Sequence, residues 1–372
     1  MQQKALKIVQ LLPDLHSGGV EKGTLEMAQA IVEAGHESFV ISSGGRLVKQ
    51  LEAEGSQHIQ WDIGKKSPLT FLQARRLKKW LQENKIDIAH ARSRLPAWVT
   101  YLAWRKMPRD ARPHFITTMH GLNSVSAYSK VMTYGEKVIA VSETVKKYLL
   151  DNYPETPEQK IITIPRGIDA NEFPFAYQPE KKWLDSWKNE YPHLQNKWII
   201  TLPGRLTRLK GHHDFIDIIK ELALKHPDIH GLIVGGEDPK RLKYAQELYQ
   251  RVAEEGLEKQ ITFTGYRSDM KQIYAISRAV LSLSTKPESF GRTAVEAISL
   301  GKPVIAYEHG GVGETLGKIY PQGLAPLGDK QTVSQKCRQL YGGDIQPPQQ
   351  AQTHYVKQKM LDKTIQLYES LG

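Results

Sequence analysis

The chain has 372 residues, 40% hydrophobic and 24% charged, with a formal net charge of +11 and one cysteine, Cys337. That length exceeds one ordinary core and predicts two domains. A single cysteine excludes an intrachain disulfide and suits a reducing compartment, and the absence of any run of about 18 apolar residues excludes a membrane span.

The N-terminal apolar run is short and stops at Pro13 and Asp14, so it reads as a strand rather than a signal peptide. The expected location is the cytoplasm, with peripheral contact at a membrane face left open. Part of the positive charge is clustered. Residues 1–120 hold 18 Lys or Arg against 11 Asp or Glu, concentrated in RRLKK (75–79), RSR (92–94) and RKMPRDAR (105–112). These are solvated helix faces, or they meet anionic headgroups, an anionic acceptor or nucleic acid. Aromatics interleaved with the basic residues, which nucleic-acid modules usually show, are missing.

In chain order, KALKIVQLL (4–12) is a strand, DLHSGGVEKG a glycine-bearing turn and TLEMAQAIVEAG (24–35) a helix. SFVISS (38–43) is a strand and PLTFLQARRLKKWLQENK (68–85) an amphipathic helix. IDIAHA, HFITTMH and KVIAVS are further strands, and ETVKKYLLDNY (143–153) is a helix. Residues 165–198 lose the rhythm and read as a linker and domain entry.

The alternation then restarts. WIITLPG, GLIVGG, QITFTG, AVLSLS and PVIAYEHGG are strands. HHDFIDIIKELALKHP, PKRLKYAQELYQRVAEEG (239–256), DMKQIYAISRA and TAVEAISLG are helices. HYVKQKMLDKTIQLYESL (354–371) is a last amphipathic helix. This is an α/β chain with two doubly wound, Rossmann-like domains, expected to face each other across a cleft at the carboxyl ends of their strands. The expected division is 1–172, carrying the acceptor side together with a C-terminal helix over about 353–372, and 173–352, carrying the donor side.

Candidate site residues fall at those strand ends. Gly18 and Gly19 sit at a strand-to-helix turn that lets a ligand approach backbone N–H groups, or that is simply tight. It is not the spaced dinucleotide fingerprint. Arg205 and Lys210, in PGRLTRLKG (203–211), can close on a diphosphate, or are two surface cations. That loop lacks the ending of an ATP-binding P-loop. His120, in TMHG, faces a substrate hydroxyl or hydrogen-bonds within the core. In KPESFGRTAVEAISLGKP (286–303), Glu288 lies in a loop and Glu296 one turn into a helix that starts near Gly291, Arg292 and Thr293. Helix N–H groups there favour phosphate, and two carboxylates suit sugar diols.

PESFGRTAVEA resembles the paired-glutamate motif of retaining GT-B glycosyltransferases of family 4, and PGRLTRLKG resembles that family's phosphate clamp. SGGVEK, TMHG, IAVSE, IPRGID and FTGYRSDM match the family's segments in order, across nearly the whole chain. HARSRLPAW and the stretch around YSKVMTYG are similar to bacterial lipopolysaccharide-core enzymes. One departure is Arg166, where the family more often has Asn.

The resemblance implies that Arg205 and Lys210 hold the nucleotide diphosphate and Glu296 the ribose. Glu288, with Ser289, Phe290, Gly291, Arg292 and Thr293 around it, holds the donor sugar. It also implies that His120 binds a donor hydroxyl, that Gly18 and Gly19 lie near donor phosphate and acceptor, and that Arg267 lies near the base, mainly through backbone. The implied reaction moves a hexose-type sugar from a nucleotide-diphosphate sugar to a hydroxyl of a glycolipid or polysaccharide, such as lipopolysaccharide core, with retained configuration. No cofactor and no metal are expected, since no D-x-D motif stands at a strand end, and a monomer is expected. The alternatives are another GT-B enzyme, such as a sugar-nucleotide epimerase or phosphorylase, or a non-catalytic binder of nucleotide sugar or nucleic acid.

Overall fold

The structure, a computed structural model, describes residues 4–16, 18–239 and 242–372. Ser17 of the predicted turn and Lys240 and Arg241 of the predicted helix 239–256 lie outside the described residues. The chain divides into two units: Met1–Pro165 with Gln358–Gly372, and Arg166–Lys357.

The first unit holds seven strands: β1 (Lys7–Leu11), β2 (Glu37–Ser42), β3 (Gln57–Gln60), β4 (Ile88–Ala91), β5 (His114–Met119), β6 (Lys137–Ala140) and β7 (Ile161–Thr163). They run parallel in the order β3-β2-β1-β4-β5-β6-β7. The central strand β4 is buried along its whole length. That is why it reads as a run without alternation. The order reverses between β1 and β4, the place where open parallel sheets carry their ligands.

The second unit repeats the plan with β8 (Trp198–Pro203), β9 (Ile229–Val234), β10 (Ile261–Phe263), β11 (Ala279–Ser282), β12 (Val304–Tyr307) and β13 (Leu324–Ala325). These are parallel in the order β10-β9-β8-β11-β12-β13, and the reversal falls between β8 and β11.

Four of the differences from the sequence reading are instructive. The stretch 165–198 contains a helix, Lys181–Glu190, within the second unit. Its Trp183 and Trp187 stack with ring centroids 5.2 Å apart, and Tyr191 packs on Trp187. The helix read over 68–85 is a 3-10 turn, Pro68–Leu72, followed by an α-helix, Gln73–Glu83. A helix over Arg94–Trp104 escaped notice because it is apolar nearly all round, with Leu95, Pro96, Ala97, Val99 and Thr100 buried. The RSR cluster is also not a solvated patch. Arg92 is buried, and its Nη1 donates to Gln10 Oε1 at 2.7 Å.

The C-terminal helix Lys357–Glu369 places Leu361, Leu367 and Tyr368 in one apolar cluster with Ile8, Ile31, Ile116 and Ile139 of the first unit. Tyr368 also meets a fully buried imidazole. Its hydroxyl lies 2.6 Å from His90 Nδ1, while His90 Nε2 lies 2.6 Å from Thr118 Oγ1. Burial holds His90 well below the usual histidine range, so the ring is neutral and uses one nitrogen as donor and one as acceptor. Tyr368→Phe leaves one ring nitrogen unpaired in the interior. We expect it to destabilise the protein by about 1–3 kcal/mol. A urea-unfolding midpoint equal to that of the parent would contradict this arrangement.

Candidate functional site

The second unit gathers its polar side chains at the carboxyl ends of β8 and β11. Gly211 adopts the left-handed conformation, φ 73°, at the start of the helix His212–Lys225. A Cβ there would collide with the Leu283 carbonyl, so the loop 204–210 can lie directly on the end of β11. The Thr285 N–H donates to the Leu209 carbonyl at 2.9 Å and fixes the same contact through the backbone. The Lys210 stem then passes over Gly204, where an added Cβ would sit 3.1 Å from the Lys210 chain.

This brings Lys210 to Glu288. Lys210 Nζ donates to Glu288 Oε1 at 2.7 Å, and the Ser284 hydroxyl donates to that same oxygen. Oε2 stands outside this pair of hydrogen bonds. Burial pushes the Glu288 carboxyl up, but the Lys210 charge and the two hydrogen bonds outweigh it and hold it below the usual carboxylate range. Glu288 is therefore an ionised acceptor at neutral pH. Arg205, one residue beyond Gly204, is exposed.

Gly291, φ 84°, opens the helix Arg292–Ser299. A Cβ at Gly291 would stand 2.6 Å from Val312 Cγ2, so both conformation and space demand glycine. Glu296 lies on this helix and is 8% exposed. Arg292 Nε donates to its Oε1 at 2.7 Å and the Tyr274 hydroxyl to its Oε2 at 3.3 Å. Here burial wins. Although Arg292 pulls the other way, the Glu296 carboxyl is raised above its usual range, and the nearby Glu172 adds to the rise. Ser289 and Thr293 are partly exposed on either side of the helix start.

Two of the expected donor residues have side chains engaged within the protein. The Phe290 ring is 3% exposed and packs edge-on against Tyr355 at 5.3 Å, so it belongs to the core. The Arg267 side chain is committed to Asp269 and Glu190, at 2.7 and 2.8 Å, and sits over the Trp187 ring. It ties the loop after β10 to the helix Lys181–Glu190, leaving only its backbone for a ligand. Ser284 was missed. Its signal in the sequence is a hydroxyl closing an apolar strand four residues before the loop glutamate.

In the first unit, Gly18, φ 147°, precedes the helix Gly19–Glu33, and the Glu21 carboxylate folds back over it. Arg92 and Gln10 connect this helix to the sheet, since Gln10 Nε2 donates to the Thr24 carbonyl at 3.1 Å. His120 follows β5 directly and is half-buried. In HARSRLPAW the residues His90, Arg92, Leu95 and Ala97 are interior, so that stretch serves packing. Among the described residues no group of three or more His, Cys, Asp or Glu could hold a metal ion.

Comparison with known proteins identifies the family. Residues 17–172 match the Glycosyltransferase Family 4 model and residues 185–356 the Glycosyl transferases group 1 model. The chain is similar to a crystal structure of a glycosyltransferase from Rickettsia africae, with 30% identity, 99% of this chain and 98% of that chain covered, and a TM-score of 0.83. The chain belongs to the GT-B glycosyltransferases. Anabaena HepE, solved with UDP, shares the fold at 21% identity and a TM-score of 0.79, covering 98% of this chain and all of that one (100%). N-acetyl-alpha-D-glucosaminyl L-malate synthase of Bacillus anthracis is 25% identical, covering 88% of this chain and 85% of its own length.

The Lys210–Glu288 pair sets a pH dependence in this glycosyltransferase. A depressed carboxyl stabilises the fold above its unfolded pKa, and that stability fades as pH falls through the folded value. Glu288→Gln is expected to cost about 1–2 kcal/mol at neutral pH. The gap from the parent should close as pH drops below the ordinary carboxylate range. Thermal midpoints across acidic pH check this, and a gap that widens on acidification would contradict the pairing.

Proposed function

We propose that this glycosyltransferase moves a hexose-type sugar from a nucleotide-diphosphate sugar to a hydroxyl of a glycolipid or polysaccharide, with retained anomeric configuration and without a metal. The observation that carries this reading is the ionised Glu288, held through a single oxygen beside Lys210 and the amino end of the helix Arg292–Ser299. A carboxylate so placed suits sugar hydroxyls, while a cation and the amino end of a helix suit phosphate. The UDP complex of Anabaena HepE supports a nucleotide donor.

In this reading Arg205 and Lys210 hold the diphosphate and stabilise the charge that grows on it as the glycosidic bond breaks. Glu288 orients the donor sugar and Glu296 the ribose. Ser289, Gly291, Arg292 and Thr293 surround the helix start, and Phe290 and Arg267 contribute backbone only. His120 and the Gly18–Gly19 turn of the first unit are assigned to substrate binding on the family resemblance. The acceptor oxygen bonds to the anomeric carbon on the face the leaving group departs. The departing diphosphate oxygen takes the acceptor's proton, and no covalent nucleophile is required. Lipopolysaccharide core is the narrower form of the acceptor proposal, and it rests on sequence resemblance. No helix among the described residues is long and apolar enough to cross a membrane.

The test starts with a thermal-shift panel of nucleotides and nucleotide sugars, in which the donor raises the melting temperature by mass action. With that donor, Lys210→Ala and Glu288→Ala should each lower kcat/KM by about 10²–10³-fold while the protein stays folded, and turnover should persist in EDTA. Undiminished transfer in both variants would reject the assignment.

A further inference from the structure

We propose that residues 65–79 form a docking surface for an anionic lipid bilayer. The proposal specifies where a membrane would meet this chain and does not depend on the sugar-transfer reading. It begins with a local packing fact. In the 3-10 turn Pro68–Leu72, Thr70 is buried and its hydroxyl donates to the Lys65 carbonyl at 2.7 Å. The Leu69 N–H donates to Ser67 Oγ at 3.3 Å and caps the same turn. With Thr70 pinned inward, its apolar neighbours are turned out. Leu69 is 69% exposed, Leu72 64% and Phe71 38%.

Three large apolar side chains on one fixed turn make an unusual surface for a soluble chain, where exposed apolar residues are normally scattered. Their surroundings decide what covers them. Residues 65–79 contain six Lys or Arg and no Asp or Glu. Lys65 and Lys66 precede the turn and are exposed. After it, the helix Gln73–Glu83 turns Ala74, Leu77 and Leu81 inward and leaves Arg75 and Lys79 exposed. Acid nearby is sparse: Lys79 lies 3.5 Å from Glu83, and Asp62 is exposed just before the segment.

Lysine is depleted from the cores of protein–protein interfaces. A small apolar tip ringed by unbalanced cations fits instead a layer that is negative at its surface and apolar beneath. Leu69, Phe71 and Leu72 would enter the acyl boundary while the cations stay among lipid phosphates, the pair of weak signals that stable peripheral attachment requires.

The full chain is sedimented with vesicles of phosphatidylcholine plus phosphatidylglycerol, and with vesicles of phosphatidylcholine alone. Binding is expected to the anionic vesicles, weakening as salt rises. Lys66→Gln with Arg75→Gln should weaken it about 25-fold, roughly fivefold per cation. Leu69→Ser with Phe71→Ser and Leu72→Ser should weaken it at least about tenfold. Melting temperatures equal to the parent's show that the variants fold. An unchanged nucleotide-induced shift separates this surface from the sugar-transfer site. Equal binding to neutral and anionic vesicles, or undiminished binding by both variants, would overturn the proposal. So would self-association of the parent that the serine variant abolishes, because the turn would then be a contact between copies.

Discussion

A carboxylate placed at the end of a buried parallel sheet needs a positive partner, and Glu288 finds it in Lys210. These residues are far apart in sequence, and their meeting is set by the backbone. Gly211 lets the loop after β8 rest against the end of β11, and Gly204 leaves room for the lysine stem. Gly291 then starts the helix Arg292–Ser299 immediately beyond the carboxylate. Each glycine holds a conformation or a contact that a side chain would forbid. The ion pair is thus the outcome of two close approaches.

The two glutamates of the motif are not equivalent, and the difference is electrostatic. Glu288 has an ammonium and a hydroxyl on one oxygen, and these more than offset its burial. Glu296 is more deeply enclosed, and its arginine, four residues earlier on the same helix, does not overcome the cost of burying charge. One carboxyl is depressed and the other raised although they are spaced by only two helical turns of sequence. Glu288 is therefore a fixed negative acceptor. Glu296 is the carboxyl whose ionised form is disfavoured by its enclosure.

Much of this was legible in the sequence because it rests on local pattern. Strands such as IAHA and AVLS are wholly buried and read as apolar runs, and the glycines at helix starts mark positions where chain direction changes. The parts that escaped depend on tertiary context. QHIQ, the edge strand β3, has a single aliphatic residue and no run to notice. The helix Lys181–Glu190 buries only Trp187 and so lacks an apolar stripe. Arg92 looked like surface charge because nothing in RSR reveals that Gln10, eighty-two residues earlier, supplies its acceptor. Phe290 and Arg267 stood inside functional motifs, yet their side chains are consumed by packing and by a salt-bridge network. A motif identifies the position in the chain, and the fold decides whether its side chain is available or already engaged within the protein.

The Lys210–Glu288 pair also constrains how a diphosphate could be gripped. Both side chains are about one-quarter exposed, at 27% and 23%, so the pair is neither dry nor freely solvated. Such pairs contribute little net stability, on the order of 1 kcal/mol. A ligand carrying two phosphates can therefore draw the ammonium toward itself at small cost, provided that Glu288 keeps a partner. Ser284 meets that condition, since its hydroxyl holds the same carboxylate oxygen from the strand side. The serine can hold the acid while the four-carbon lysine stem offers other rotamers. Under the proposed function, the arrangement separates a group assigned to the sugar from one assigned to phosphate, and Glu288 keeps a hydrogen-bond partner when Lys210 turns away.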